Sequence, residues 1–449
     1  MAGVTLVTAL ATCALIFFLK PIHALIAYFA VLVWYPSYLS APIGTVDFTV
    51  HRIVILFLFG KLYLETKLPS RFKLVWLDKL LIVYFVAQLL AGAATTRTLG
   101  SFLENRAGRV FDMMLPYFAV RFIITDKQKY LLFLKSILVV AVPLATIGLY
   151  QCLSGHNPAG FMMRYYAWEA STGYSPMSRI GLTRANVVFS HPIMFGLFFS
   201  MLGPMCVGLF GQGRKHWLLY VIGIGFMCVG LFSCLSSGPA LSVLSAMVFL
   251  AYYRFRKTWK AVTAMIIVMC ALIEITSNRH FFEVIDRFTL SSGSAWYRGR
   301  LIEVALLEGG MNGHWIAGFG PDVDPGWGPI IDRRSFTDIV NHYILVLCRA
   351  GLIGLIPFLA MNIAAVKRLI YSDRLAIHHS EKWLVWCLAA ALFGLWIGFW
   401  TVSIYDIPLT LYYIMLGCCG AMPAVVSRPT FPMLRNVGGE FYQVNSQGV

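Results

Sequence analysis

Charge is what this chain of 449 residues has least of. Only 12% of its residues are Asp, Glu, Lys or Arg, about half the share of roughly 25% in soluble globular domains. Apolar residues make up 59%, so the chain cannot be an ordinary water-soluble protein. Chemistry-bearing cysteine patterns are missing too. The ten cysteines include no CxxC pair, which argues against a disulfide frame and against a zinc site. Most of them, such as Cys228, Cys234, Cys270, Cys418 and Cys419, lie inside apolar stretches where small, soft side chains pack well. No dinucleotide fingerprint, P-loop or HExxH motif occurs and no internal repeat is evident, so no metal or cofactor is expected. The first apolar run has no basic residue before it and no small-residue cleavage site after it, which predicts a retained span and not a signal peptide.

What the chain has instead is a succession of long apolar runs, near 3–19, 22–38, 49–64, 77–95, 110–125, 130–153, 187–210, 217–234, 238–253, 261–277, 352–369, 383–402 and 408–425. Runs of about 17 to 25 residues are long enough to cross roughly 30 Å of hydrocarbon. They must be helices, because in lipid a spanning segment satisfies its backbone groups internally. The expected fold is an all-α integral membrane protein of about 12–13 transmembrane helices with one large, partly helical outer loop. Residues 1–277 form about ten spans with a medium loop at 154–186. Residues 278–351 form the large loop, and 352–449 the last spans and a tail.

Basic residues in short loops mark the cytoplasmic side. The loops bearing Lys67, Arg71 and Lys73, Lys127 and Lys129, Arg214 and Lys215, and Arg254, Arg256, Lys257 and Lys260 alternate consistently as the inner set. The stretch with Lys367, Arg368, Arg374 and Lys382 joins them. Residues 97–109, 154–186 and 278–351 then face outward. None of the thirteen lysines falls in those three loops, which carry thirteen arginines instead, including Arg109, Arg179, Arg184, Arg298, Arg300 and Arg349. Arginine presents a planar fork of donors that grips phosphate at two points, so this surface suits a phosphate-bearing lipid. The plainer reading is that these arginines pair with the loop acids Glu283, Asp286, Glu303, Asp322 and Asp324, or touch lipid headgroups. The net charge of +16 is spread over both faces, and nucleic acid is not an expected partner.

The stretch DIVNHYILVLCRAGLIGLIPFLAMN sets Asp338, Asn341, His342 and Arg349 against the start of a span. A helix over 338–350, capped by Thr337 or Asp338 and ended by Gly351, places Asp338, His342 and Arg349 on one face. An aspartate one turn before a histidine can accept one ring N–H and leave the other nitrogen as a base. An interfacial helix whose polar face meets water is the plainer reading.

Three stretches together resemble the O-antigen ligase and polysaccharide polymerase superfamily of bacterial inner-membrane glycosyltransferases. RANVVFSHPIMFG, from Arg184 to Gly196, looks like the family's arginine followed by H-P-x-x-x-G. GRLIEVALLEGGMNGHWIAGFG, from Gly299 to Gly320, is similar to its G-R helix and G-x-G turn. NHYILVLCRAGLIGLIPF, from Asn341 to Phe358, is similar to the segment closing its large loop. Here Asn341 precedes His342, Glu303 or Val304 stands where tryptophan is usual, and SSGPALS at 236–242 lacks an arginine. Exopolysaccharide polymerases are therefore the closer match.

The resemblance implies a multi-pass protein of the bacterial inner membrane that joins undecaprenyl diphosphate-linked oligosaccharide repeats at the periplasmic face, without a metal. A ligase moving a finished glycan to another acceptor is the alternative within the enzyme class, and a polysaccharide or lipid transporter the alternative outside it. A flippase and a chain-length regulator are the implied partners, beside membrane lipid. On this reading His342, oriented by Asp338, is the base. Arg184 and Arg300, with Arg298, hold the diphosphate. Arg179, His191, Asn341 and Arg349 are secondary candidates. His191, beside Pro192, also fits a simple capping or span-bending role.

Overall fold

The computed structural model describes residues 2–43, 46–66, 73–95, 100, 108–163, 165, 177–213, 215–277, 280, 292–321, 323–427, 433–437 and 440–444. Lys67, Arg71, Arg97, Arg106, Arg164, Arg214, Arg279, Arg287, Glu283, Asp286 and Asp322 lie outside them. Every apolar run of the sequence falls on a helix. In chain order these are α1 (Ala2–Phe18), α2 (Pro21–Trp34), α3 (Val50–Thr66), α4 (Trp76–Thr95), α5 (Leu115–Ile123, entered through a π-helical turn at Val110–Met114), α6 (Lys127–Ser154), α7 (Pro192–Val207), α8 (Trp217–Ser233), α9 (Ser237–Ala251), α10 (Trp259–Thr276), then α11 (Ser292–Ile302) in the large loop, and α12 (His342–Leu375), α13 (His379–Thr401) and α14 (Asp406–Val426). Among the described residues seven helices are long and apolar enough to cross a membrane. They are α4, α6, α7 and α9 with their short 3-10 extensions, α12, α13 and α14. The sequence count of 12–13 is larger because it includes shorter apolar helices such as α1, α2 and α8. At about 1.5 Å per residue these reach only roughly 21 to 26 Å.

Local chemistry sets the helix ends. Asp126 caps α6 by accepting the Lys129 N–H at 3.0 Å, and Gly155, at φ 75°, closes it in the left-handed conformation that glycine adopts freely. The Lys61 ammonium reaches across from α3 to the carbonyls of Ile16 and Phe17, at 2.7 and 2.9 Å, and so satisfies the end of α1. Two-stranded hairpins pair Ser40–Ile43 with Val46–Thr49 and Ser178–Arg179 with Leu182–Thr183, and a third pairs Met433–Val437 with Glu440–Val444.

Among the apolar spanning helices α14 is the most buried, its Tyr412, Tyr413, Cys418 and Cys419 all inside. At its middle the Asn362 carbonyl oxygen on α12 accepts from Trp396 Nε1 of α13 at 2.6 Å and from the Tyr412 hydroxyl of α14 at 2.8 Å. One amide thus ties three helices where no water competes. The two ends of the bundle differ in charge chemistry. One gathers lysine: Lys127 Nζ donates to Ser380 Oγ at 3.3 Å, and Arg256 pairs with Asp373. The other gathers the loop arginines around the turn between α13 and α14.

The large loop has a core of its own, built from Tyr297, Leu301, Val304, Met311 and Trp327 against Ile344, Leu347 and Cys348 of α12. A backbone splice joins this lobe to the bundle. Gly351 takes φ 60°, ψ −160° in the midst of α12, a conformation open essentially to glycine alone. The carbonyls and N–H groups freed there pair with the loop: Phe319 N–H donates to the Cys348 carbonyl at 2.7 Å, Leu352 N–H to Trp315 at 2.8 Å, and Ile353 N–H to Ile316 at 3.2 Å. Gly318, at φ 74°, lies against the Cys348 carbonyl, where a side chain would not fit. The G-F-G turn and the glycine after Ala350 therefore form a single joint.

The boundary that bears on the site differs from the sequence reading. The helix starts at His342, not at 338, because the Asn341 side chain accepts the N–H groups of Tyr343 and Ile344 at 3.0 and 3.2 Å. The Thr337 hydroxyl is engaged elsewhere, accepting from Trp327 and Gly328 at 2.8 and 3.0 Å.

Candidate functional site

The shifted helix start changes the relation expected between Asp338 and His342. Asp338 lies in extended chain before the first turn, exposed, and its backbone N–H donates to the Tyr297 hydroxyl at 3.0 Å. It shares no helix face with His342, and the pair anticipated from their spacing does not form. His342 is 4% exposed, its ring wedged between Phe358 and Phe399 at centroid distances of 5.6 and 4.7 Å. The backbone N–H of Ile404 donates to His342 Nδ1 at 3.2 Å. A neutral imidazole that accepts at Nδ1 carries its proton on Nε2. The orienting group is thus a backbone amide, and the tautomer it selects offers a donor, not a base.

Arg349 does lie on the same face as His342. Both line a small cavity with Leu345 and meet Arg109, Tyr84 and Gln88 there. The cavity measures about 20 Å³, which is room for one water. A larger molecule enters only when the surrounding side chains part. Arg109 leads into the π-helical turn at Val110–Met114, whose Asp112 is gripped by Arg52 at 2.7 and 3.1 Å. Such a single-turn π element commonly marks a working part of a helix. Two arginines and a histidine thus line one cavity at the arginine-rich end.

The turn from Thr401 to Asp406 is the hub of that end. Arg298, 7% exposed, donates from Nε to the Thr401 carbonyl at 3.1 Å. Asn341 donates to the Trp400 carbonyl at 3.3 Å, Ile404 orients His342, and Ser190 donates its hydroxyl proton to the Asp406 carboxylate at 2.6 Å. Asp406 sits at φ 62°, strained for a residue with a side chain. Two of the three stretches that carry the family resemblance therefore touch this six-residue turn, through Ser190 and His342, and Arg298 reaches it from the residue just before the other. The sequence reading passed over it, although a lone acid between two apolar runs was a usable signal. It also counted Arg109 only among the loop arginines, because nothing near it in sequence points to α12.

The remaining candidates have defined partners. Arg184 donates to the Cys234 carbonyl at 3.2 Å and Arg179 to that of Leu235 at 3.0 Å. Burial and the neighbouring Arg179 charge push the Arg184 guanidinium down from its usual range, because both disfavour its charged form. Arg300 is engaged by two carboxylates, Glu303 at 2.9 Å and Glu308 at 2.6 and 3.0 Å, and these bonds raise its pKa. His191 is the cap of α7, Nδ1 accepting from Ile193 N–H at 3.1 Å. Burial and the Arg184 charge lower its pKa to about 4, so it caps as the neutral ring. Among the described residues no group of three or more His, Cys, Asp or Glu side chains could hold a metal ion. Compared with known proteins, the chain matches no family model and no curated protein.

Proposed function

We propose that this protein is a multi-pass bacterial inner-membrane glycosyltransferase. It joins undecaprenyl diphosphate-linked oligosaccharide repeats into exopolysaccharide at the periplasmic face, which is the arginine-rich end. The observation that carries this reading is the cavity where His342, Arg109 and Arg349 meet. When the anomeric C–O bond breaks, negative charge builds on the departing diphosphate. Preorganised N–H donors in a partly dry site stabilise such charge most effectively. Arg109 and Arg349 supply the forks and His342 supplies Nε2–H, so the histidine assists departure, and the proton of the attacking acceptor hydroxyl passes to the departing diphosphate and not to the ring. Arg184 and Arg179 hold the Cys234 and Leu235 carbonyls, and Arg298 fixes the Thr401–Asp406 turn.

The test is polymer synthesis by the purified protein from a lipid-linked repeat, with a chelator present. Arg109→Ala and Arg349→Ala are expected to leave single repeats unextended. Normal polymer from both variants would remove the cavity from the reaction, and a product attached to a different acceptor would select the ligase reading.

A further inference from the structure

At the opposite, lysine-rich end an apolar groove of about 400 Å³ runs between α6 and α8. The two helices are parallel and in register. Leu138 lies directly against Gly223, and Gly148 reaches Ser233 ten residues further along both. Lys135 is therefore level with Tyr220, one turn inside the start of α8. On α6 it stands eight residues past Lys127, about 12 Å along the axis, within a spanning helix. Its side chain is exposed on the groove. Among the described residues its ammonium has no hydrogen-bond or ion-pair partner, whereas on the same helix Lys127 has one and Lys129 two.

A lysine at this depth extends its stem toward the interface and calls for an anion there. The groove places His216 at that level, its ring edge-on to Tyr220. Deeper in, Val139, Val142, Leu219 and Ile222 leave an apolar channel. A phosphate at one end and a hydrocarbon chain along the rest is the outline of a phospholipid. We propose that this groove is a binding site for an anionic phospholipid of the adjacent leaflet. Its phosphate sits between Lys135 and His216, and one acyl chain lies between α6 and α8. The site is at the other end of the bundle from His342 and is independent of the proposed glycosyl transfer.

The experiment uses the full-length protein carrying a photoreactive amino acid at Val139, in vesicles of equal phosphatidylglycerol and phosphatidylcholine, with the lipid adducts identified by mass. The same label at Leu244, a lipid-exposed position on α9, reports the general lipid surround. One lysine near an anionic surface corresponds to about fivefold enrichment, so phosphatidylglycerol should exceed phosphatidylcholine by about that factor at Val139 relative to Leu244. Lys135→Gln should bring the two positions to the same ratio, and Lys135→Arg should keep them apart. Equal ratios in the unsubstituted protein, or an enrichment that survives Lys135→Gln, would overturn the site.

Discussion

The tautomer of His342 can be tested by replacing each ring nitrogen separately. Asparagine places an acceptor near Nδ1 and nothing at Nε2, so His342→Asn should keep the bond from Ile404 N–H and lose the Nε2 donor. Glutamine reaches the Nε2 position with an amide N–H, so His342→Gln should keep a donor there. His342→Ala is uninformative about chemistry, because it strips a buried N–H of its acceptor and opens space between Phe358 and Phe399. The first effect costs about 1–3 kcal/mol and the second about 2–5 kcal/mol by analogy with large-to-small core changes, enough to lower protein level by itself. Loss of one preorganised donor costs on the order of 100- to 1,000-fold in rate. The expected series in purified protein is therefore a folded but nearly inactive asparagine variant and a glutamine variant with measurable polymer. If glutamine is as inactive as asparagine while both remain folded, the histidine acts as a base and the donor assignment is wrong. If asparagine extends chains normally, His342 only positions the Thr401–Asp406 turn.

Arg109→Lys and Arg349→Lys keep the charge and lose the fork, so each should reduce polymer at least tenfold at unchanged protein level; Arg300→Lys should have a smaller effect, since its ion pairs are partly exposed and worth about 1 kcal/mol or less. Gly351→Ala forces a side chain toward the Ile316 carbonyl at a glycine-only φ/ψ and should cost about 1–3 kcal/mol, seen as earlier thermal unfolding in detergent. In a protein freed of its native cysteines, Asn312→Cys should react with an impermeant thiol reagent in intact spheroplasts and Lys257→Cys should not; equal labelling would reverse the assigned orientation. His191 has a folded pKa of about 4, below its unfolded value near 6.5, so its capping contribution is full above about pH 6.5 and declines as pH falls toward 4; His191→Asn should keep the cap and flatten that part of the stability profile.

The helices were legible because hydrocarbon leaves the backbone no alternative, and each apolar run became one. Their lengths were less so. A run of apolar letters does not say where a cap will end it, as Pro21–Trp34 shows against the run 22–38. The start of α12 turned on one residue. Thr337, Asp338 and Asn341 all carry capping side chains, and spacing cannot rank them. The structure decides through the large loop: Trp327 and Gly328 take Thr337, the Tyr297 hydroxyl takes the Asp338 N–H, and Asn341 is left to cap. The predicted Asp338–His342 pair depended on that register and disappeared with it.

The composition of the site was hidden for a different reason. Helical spacing reports residues that share a face, so the grouping of His342 with Arg349 could be read directly. Arg109, Tyr84 and Gln88 come from α4 and the approach to α5, more than two hundred residues away in sequence, and only packing of α12 along α4 brings them together. The same holds for Ile404, whose contribution is a backbone N–H that any residue but proline provides. A histidine's partner can thus be invisible in the sequence while deciding which of its nitrogens carries the proton. Where the partner is a main-chain amide, the ring is held as an Nε2 donor without any acidic neighbour, and an aspartate four residues upstream is no guide to the chemistry.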